Sequence, residues 1–405
     1  MTRTAEIDSA VICLTEEANP GFEPHFQQIA GLPLLQRQLL WLARHGIRTV
    51  HLRVAPPQIS AIKVHLRRWR RPMPDVIVAV EPPRRAQGKA VVIDSRFLHH
   101  PDLLRHALAA EGVLAYVDDQ GESCGLGIAD LQYGVGPDTL QHLPKTLIPN
   151  DLFACRIIDA RQAGRAETKL LRSFIKPTDG WFSKKINRSI SLSITRKIAP
   201  LPLTPNMISV LALLVGIGSG WSAAQGSWAW LAVGGCLYQA ASILDGVDGE
   251  LARAKLLYSK IGEWMDSVCD DLTNVLFITG VTIGVYRSTP DPFWTILGFL
   301  SLIVYGVTIT IMYGHLIINK RRASLLAFQE NIRKPDYRPG RITSWLVSLQ
   351  PFIKRDFHGY AMMVAGLLGC AKLILAGWLI GSILTLGFVW SEVQRPAAGG
   401  SFWKD

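Results

Sequence analysis

The chain has 405 residues, 49% hydrophobic and 19% charged, with a formal net charge of +11. That length allows two domains. The apolar residues crowd the second half, so the basic excess lies beside hydrophobic segments; this fits anionic lipid and cytosolic anchoring and argues against a nucleic-acid partner. The six cysteines (Cys13, Cys124, Cys155, Cys236, Cys269, Cys370) form no Cys-x-x-Cys pair, which excludes a zinc site or a disulfide framework.

Thr2 to Asp8 is polar and the apolar run after it is short, so no signal peptide is expected. Ala10–Leu14 predicts a strand, Leu34–Arg44 an amphipathic helix closed by His45-Gly46, and Thr49–Val54 the next strand. Pro57–Trp69 predicts an arginine-rich helix. Val76–Val80, Val91–Ile93, a helix over Pro101–Ala109 and a strand over Val113–Val117 continue the alternation. Such alternation predicts an α/β sandwich on a largely parallel sheet. Glycines, prolines and short apolar pieces over Gly121–Asn150 predict small strands and loops, and Ala166–Phe174 a helix. Asp118-Asp119 reads as an acidic turn, and His99 and His100 have no partner legible in the sequence.

Ile29-Ala-Gly-Leu-Pro-Leu-Leu-Gln-Arg37, followed by Gly46-Ile47, resembles the turn and helix of sugar-phosphate nucleotidyltransferases. Gln87-Gly88-Lys89-Ala90 and Ile93-Asp94 stand where that family has a nucleotide-contacting glycine and a metal-binding aspartate. Asp94 also reads as an ordinary strand-end residue. The family's glycine-rich phosphate loop is replaced by Leu14-Thr-Glu-Glu-Ala-Asn-Pro-Gly21. Glu16 and Glu17 would repel a triphosphate and leave no nest of N–H groups. Residues 1–175 are therefore expected to be a nucleotidyltransferase-like α/β domain, cytosolic and without that activity.

Residues 176–202 are expected to hold an interfacial amphipathic helix, with Trp181 and Phe182 in the headgroups and Lys184, Lys185, Arg188, Arg196 and Lys197 as its basic residues. Thr204-Pro205-Asn206 reads as a cap and first turn of the following helix. Residues 203–396 are expected to be a six-span helical membrane domain, with spans near 207–224, 228–243, 272–286, 294–318, 360–376 and 378–389. The third must extend to take in Asp266 and Asp270. Basic clusters at Arg196-Lys197, Lys320-Arg321-Arg322 and Lys354-Arg355 fall at alternate span ends, placing both termini in the cytosol of a multi-pass cytoplasmic-membrane protein.

Carboxylates are expensive in such surroundings unless paired, metal-bound or wetted. Asp245, Asp248 and Ala252 share a helix face with Gly249 and Arg253 beside it, and Asp266 and Asp270 share a face of the next helix. Four converging carboxylates would repel one another, so divalent cations are the natural partner, and oxygen ligands suit Mg²⁺ or Mn²⁺. Gly249 and Gly262 would admit a bulky ligand to the backbone, and Arg253 is a phosphate fork.

Asp245, Asp248-Gly249, Ala252-Arg253, Gly262, Asp266 and Asp270 fill, without departure, a spacing that resembles the CDP-alcohol phosphotransferase signature. Thr204-Pro205-Asn206 is a second match, and the layout is similar to the bifunctional archaeal enzymes that make CDP-inositol and then di-myo-inositol phosphate phosphate. The resemblance implies transfer of a phosphoalcohol from a CDP-alcohol donor to a polyol or polyol-phosphate acceptor, with release of CMP. It implies two Mg²⁺ or Mn²⁺ ions on Asp245, Asp248, Asp266 and Asp270, with Asp270 also the general base. Gly249, Ala252, Arg253 and Gly262 would line the cytidine diphosphate, with Thr204, Pro205 and Asn206 on one side. Arg188 and Arg355 read either as acceptor-phosphate ligands or as anchors on the positive side of the membrane. Membrane lipid is an expected partner, and a homodimer is compatible with the resemblance. The sequence favours a CDP-diacylglycerol-like donor in phospholipid synthesis. A soluble CDP-inositol donor is the alternative, and a non-enzymatic scaffold a third reading that the intact signature weakens.

Overall fold

Strand β1 (Ser9–Cys13) presents Ala10 and Ile12 to one face and Val11 and Cys13 to the other, all buried. A strand apolar on both faces belongs at the centre of a sheet covered on both sides. In the computed structural model, which describes residues 7–14, 22–69, 71–80, 88–131, 135, 138–175, 183–318 and 355–393, β1 holds that place. It pairs in parallel with β4 (Thr49–Arg53) and β6 (Lys89–Asp94), and β4 with β5 (Asp75–Ala79). The seven-stranded order is β10-β8-β9-β6-β1-β4-β5, with β8 at Leu114–Val117, β9 at Ser123–Asp130 and β10 at Lys145–Leu147.

The chain divides into two compact units, Met1–Phe174 with Ala199–Leu201 and Ala254–Leu256, and the remainder. In the first, α1 (Leu34–Arg44) packs Leu35, Leu39 and Leu42 on Ala10, Ile12, Val50, Leu52, Val91 and Ile93. The opposite face buries Val11, Cys13, Ala90, Val92 and Ala115 against Leu140 of the short helix α4 (Thr139–His142). α2 (Ile59–Arg68) and α3 (Leu103–Ala109) lie where the alternation predicts helices.

Two features depart from the sequence expectation. β9 runs antiparallel between β6 and β8. The Asp118–Gly121 turn explains this: the Asp118 carboxylate accepts from the N–H groups of Gln120 and Glu122, and Gly121 takes φ +79°, so the strand returns at once. Helix α5 (Ala160–Arg172) starts six residues before the predicted Ala166, because the Asp159 carboxylate accepts the Gln162 N–H at 2.6 Å and caps it there. Gly125 also has a reason: at φ +66° its Cβ would stand 2.4 Å from the Phe97 ring.

In the second unit a wide turn of helix at Ser183–Asn187 leads into α6 (Arg188–Ile198). Then come α7 (Pro205–Ala223), α8 (Trp228–Ala254), α9 (Lys260–Ser288) and α10 (Pro292–Ile318). After the undescribed residues 319–354 follow α11 (Arg355–Leu367) and α12 (Ala371–Val393). Four of these helices are long and apolar enough to cross a membrane, over Pro205–Ala223, Ile261–Ser288, Pro292–His315 and Ala371–Ser391, which is the character of a multi-pass membrane protein. Six predicted spans thus become four by this measure among the described residues. α8 is long enough at 27 residues, but its second half carries Asp245, Asp248, Glu250 and Arg253. α11 has only 13 described residues.

The break between the last two helices is also relocated. The sequence places it at Gly377; the chain turns at Gly369, φ +71°. There the N–H of Cys370 reaches the carbonyl of Ala365 and that of Gly369 the carbonyl of Gly366, the two bonds that close a helix on a left-handed glycine. A Cβ on Gly369 would meet the Trp228 ring at 2.6 Å, whereas Gly377 faces open space inside α12. Small residues bring α7 against α9. A Cβ on Gly280 would lie 2.1 Å from the Gly220 carbonyl oxygen, and one on Gly284 2.2 Å from that of Ala223, the close approach used between helices in lipid. Leu214, Ile303, Leu373 and Ile380 are outward-facing.

His99 lies buried in the first unit. It stacks on Trp41 at 5.5 Å, with Nε2 2.9 Å from the carbonyl of Cys124. Burial pushes its pKa down to about 4, below the unfolded value of about 6.5. The unfolded chain therefore binds the proton first, and stability is lost as pH falls from about 6.5 to 4, by about 3 kcal/mol. Residues 1–175 expressed alone should fold, and urea midpoints between pH 7 and 4 should fall less steeply in His99→Gln than in the parent.

Candidate active site

The site begins with two helix caps. The Thr204 side chain accepts from the N–H of Met207 and starts α7 with Pro205 in its first turn, and the Ser259 hydroxyl accepts from Gly262 N–H at 2.9 Å and starts α9. Gly262 is where these starts meet: a Cβ there would stand 3.1 Å from Asn206 Oδ1. Asn206 and Gly262, far apart in sequence, are thus neighbours.

Asp245 and Asp248 project from α8 and Asp266 from α9, and each offers a carboxylate oxygen such that all three lie within 4.8 Å of one another. Asp248 is buried and accepts a 2.5 Å hydrogen bond from Ser209 of α7. Asp266 is within hydrogen-bonding reach of both other carboxyls. Three hard oxygen donors on neighbouring helices suit one divalent cation such as Mg²⁺ or Mn²⁺, whose charge removes their mutual repulsion. Asp270, one turn beyond Asp266, lies outside this three-carboxylate set. The guanidinium of Arg253 lies over Gly249, 3.6 Å from the position of an added Cβ, so the glycine keeps that surface open. Ala252 is half-buried in the same stretch.

Two features escaped the sequence reading. Glu250, inside the signature and fully buried, accepts from Arg188 Nη1 at 2.9 Å, Ser191 Oγ at 2.6 Å and Thr195 Oγ1 at 2.7 Å. α6 is thereby fastened to the face of α8 opposite Asp248, and Arg188 is drawn into an ion pair. Removing one partner of such a pair costs about 3–5 kcal/mol. The periodic basic residues of α6 could have signalled a buried acid partner, but nothing local marks Glu250 as that acid. Asp271, beside Asp270, accepts from Tyr305 at 2.6 Å and from Tyr313; Asn274 donates to Tyr305 and accepts from Tyr238. These partners come from α8, α9 and α10 and share no sequence motif.

In the first unit, Asp94 is engaged by Arg96, with Nη2 at 2.7 Å and the Arg96 N–H at 2.9 Å. Gly88 and Lys89 are described, but Gln87, Glu16 and Glu17 lie outside the described residues, as do Trp181, Phe182, the Lys320–Arg322 cluster and Lys354. Arg355 begins α11, and its side chain and that of Lys185 lie outside the described set.

Helices, several of them long and apolar enough to cross a membrane, thus bring three carboxylates together beside two helix caps, in a set able to hold one divalent cation. Residues 202–385 match the family model of the CDP-alcohol phosphatidyltransferases, and this part of the sequence is a phosphotransferase domain of that family. It is 36% identical over 140 residues to the bifunctional IPC transferase and DIPP synthase of Thermococcus kodakarensis, 34% of this chain and 31% of that protein. The protein of the same name from Archaeoglobus fulgidus is 32% identical over 185 residues, 45% of this chain and 36% of that protein. The archaetidylinositol phosphate synthase of Pyrococcus horikoshii is 27% identical over 105 residues, 26% of this chain and 54% of that protein. The chain spans only about a third of the length of the first two relatives.

Replacing Asp266 by Asn removes one of three charged ligands. Mn²⁺ binding followed by electron paramagnetic resonance should weaken at least tenfold, with the helical circular dichroism unchanged.

Proposed function

We propose that the chain transfers a phosphoalcohol from a soluble CDP-polyol of the CDP-inositol type to a hydroxyl of a second, phosphorylated polyol, releasing CMP. The observation that carries this reading is the meeting of Asp245, Asp248 and Asp266 within the part of the chain that matches the family. The soluble donor is favoured by four relatives named bifunctional IPC transferase and DIPP synthase, 32–44% identical over the matched stretches. It takes precedence over the lipid donor that the sequence alone favours.

In this reading the acceptor hydroxyl oxygen attacks the phosphorus bearing the donor's alcohol. The bond from that phosphorus to the oxygen of CMP breaks, CMP leaves with the electron pair, and Asp270 takes the hydroxyl proton. Mg²⁺ or Mn²⁺ held by Asp245, Asp248 and Asp266, with a second ion shared by Asp270, would offset the pyrophosphate charge and acidify the hydroxyl. Arg253 grips phosphate, and Gly249, Ala252 and Gly262 let the cytidine diphosphate lie against the backbone, with Thr204, Pro205 and Asn206 on one side. Arg355 is the candidate for the acceptor phosphate, whereas the charge of Arg188 is offset by its pairing with Glu250. Counting α8 and α11 with the four apolar helices gives six crossings of the cytoplasmic membrane and puts both termini in the cytosol. A homodimer is compatible with this layout.

Asp270→Asn should lower CMP release by two orders of magnitude or more while leaving expression and detergent-solubilised size unchanged, since loss of a general base costs about 10²–10⁴-fold. Activity within threefold of the parent would remove Asp270 from the mechanism.

Glu16 and Glu17 in place of a phosphate loop lead us to read residues 1–175 as having no nucleotidyltransferase activity, the CDP-polyol being supplied by another protein. Incubated with CTP, Mg²⁺ and inositol 1-phosphate, the chain should produce no pyrophosphate.

A second reading, a lipid donor, is supported by the similarity to an archaetidylinositol phosphate synthase. Labelled product made from CDP-inositol should partition wholly into water against butanol. Turnover with CDP-diacylglycerol alone, giving butanol-soluble product, would establish the second reading.

A further inference from the structure

The helices that carry the carboxylates are joined again, further along their length, by a chain of hydrogen bonds that ends on α10. The Tyr238 hydroxyl donates to Asn274 Oδ1 at 2.6 Å, and Asn274 Nδ2 donates to the Tyr305 hydroxyl at 2.8 Å. Tyr305 donates to Asp271 Oδ1 at 2.6 Å, and Tyr313 donates to the other carboxylate oxygen. The direction of the chain is fixed, because a tyrosine hydroxyl has one proton. Tyr305 gives its proton to Asp271 and so accepts from the amide nitrogen, which leaves Oδ1 for Tyr238. Tyr238 and Asn274 are buried, and the Tyr238 ring stacks on Phe277 at 4.6 Å.

The positions along the helices match those of the ion set. Tyr238 meets Asn274 while Asp245 meets Asp266, so residue numbers rise along α8 as they fall along α9. Asp245 lies seven residues after Tyr238 and Asp266 eight before Asn274, distances of about 10 and 12 Å along the two axes. One register therefore satisfies both pairs. A slip of one helical turn, about 5.4 Å, would exceed the 4.8 Å within which the three carboxylate oxygens lie. Apolar contacts are non-directional and resist such a slip weakly. Buried polar groups resist it, since each would lose its partner. Rotation is constrained as well: Asp271 stands about 100° round α9 from Asp270, and the two tyrosines hold it on the α10 side.

We infer that Tyr238, Asn274, Tyr305, Tyr313 and Asp271 are positioning residues that set the register and rotation of α9, so that Asp266 and Asp270, and not Asp271, serve the divalent cation. This deepens the proposed function and rests on it for the role of the ion in turnover.

The test uses the full chain in detergent with Mn²⁺ as probe, read by electron paramagnetic resonance. Asn274→Leu nearly keeps the side-chain volume and cuts the links to Tyr238 and Tyr305. It should weaken Mn²⁺ binding at least threefold and broaden the spectrum of the bound ion as its ligand geometry loosens. Tyr238→Phe keeps the ring on Phe277 and removes one hydroxyl; it should also weaken binding at least threefold, and it decides alone if Asn274→Leu does not fold. Asp271→Asn can still accept from Tyr305 and donate to Tyr313, so it should weaken binding threefold at most. A smaller loss in Asn274→Leu or Tyr238→Phe, whatever the melting temperature, would make the network a structural staple and overturn its positioning role. A larger loss in Asp271→Asn would make Asp271 an ion ligand and overturn it too. If the parent binds Mn²⁺ but releases no CMP with any CDP-alcohol, the proposed function falls and these binding results still decide the network. If the parent binds no Mn²⁺, the positioning role falls with the ion site.

Discussion

Carboxylates packed within 4.8 Å of one another on helices of an otherwise apolar unit are a constraint that every neighbouring element answers. In such surroundings a lone ionised carboxyl is costly, and three together add mutual repulsion. A bound cation or a shared proton would relieve that repulsion, within a rigid frame that keeps the helices from moving apart. Ser209 supplies one hydrogen bond to Asp248 from α7, and the glycine contacts between α7 and α9 hold the helix bearing Asp266 close. The frame and the site are therefore one piece of physics: small residues permit the approach that the carboxylates alone would resist.

The remaining buried acids follow the same rule by different means. Glu250 is met by a guanidinium and two hydroxyls from α6, and Asp271 by two tyrosine hydroxyls from α10. One acid thus ties α6 to α8, and the other ties α10 to α9. Because each relies on several charge-assisted bonds, loss of a single partner leaves an uncompensated charge and not simply a missing contact. Gln239 Oε1 and Ser242 Oγ, with several other buried polar atoms, make no hydrogen bond among the described residues, although Gln239 Nε2 is held by Asn187.

In the first unit, the strand-end Asp94 is taken by Arg96, and His99 stacks on Trp41. Both are accounted for by local packing and pairing.

Much of this was legible in the sequence because it depends on short-range periodicity. The helix over Leu34–Arg44, the strands on either side of it, the Thr204 cap and the spacing of Asp245, Asp248 and Asp266 along two helices follow from residue type and interval alone. Which hydrophobic glycine turns the chain did not: Gly369 and Gly377 look alike until Trp228 closes on one of them. The antiparallel course of β9 depended on a turn held by Asp118, and the start of α5 on one carboxylate. The partners of Glu250, Asp271 and Gln239 lie more than thirty residues away in most cases. Spacing reports which residues share a face of one helix; only the packing of separate helices decides what that face meets.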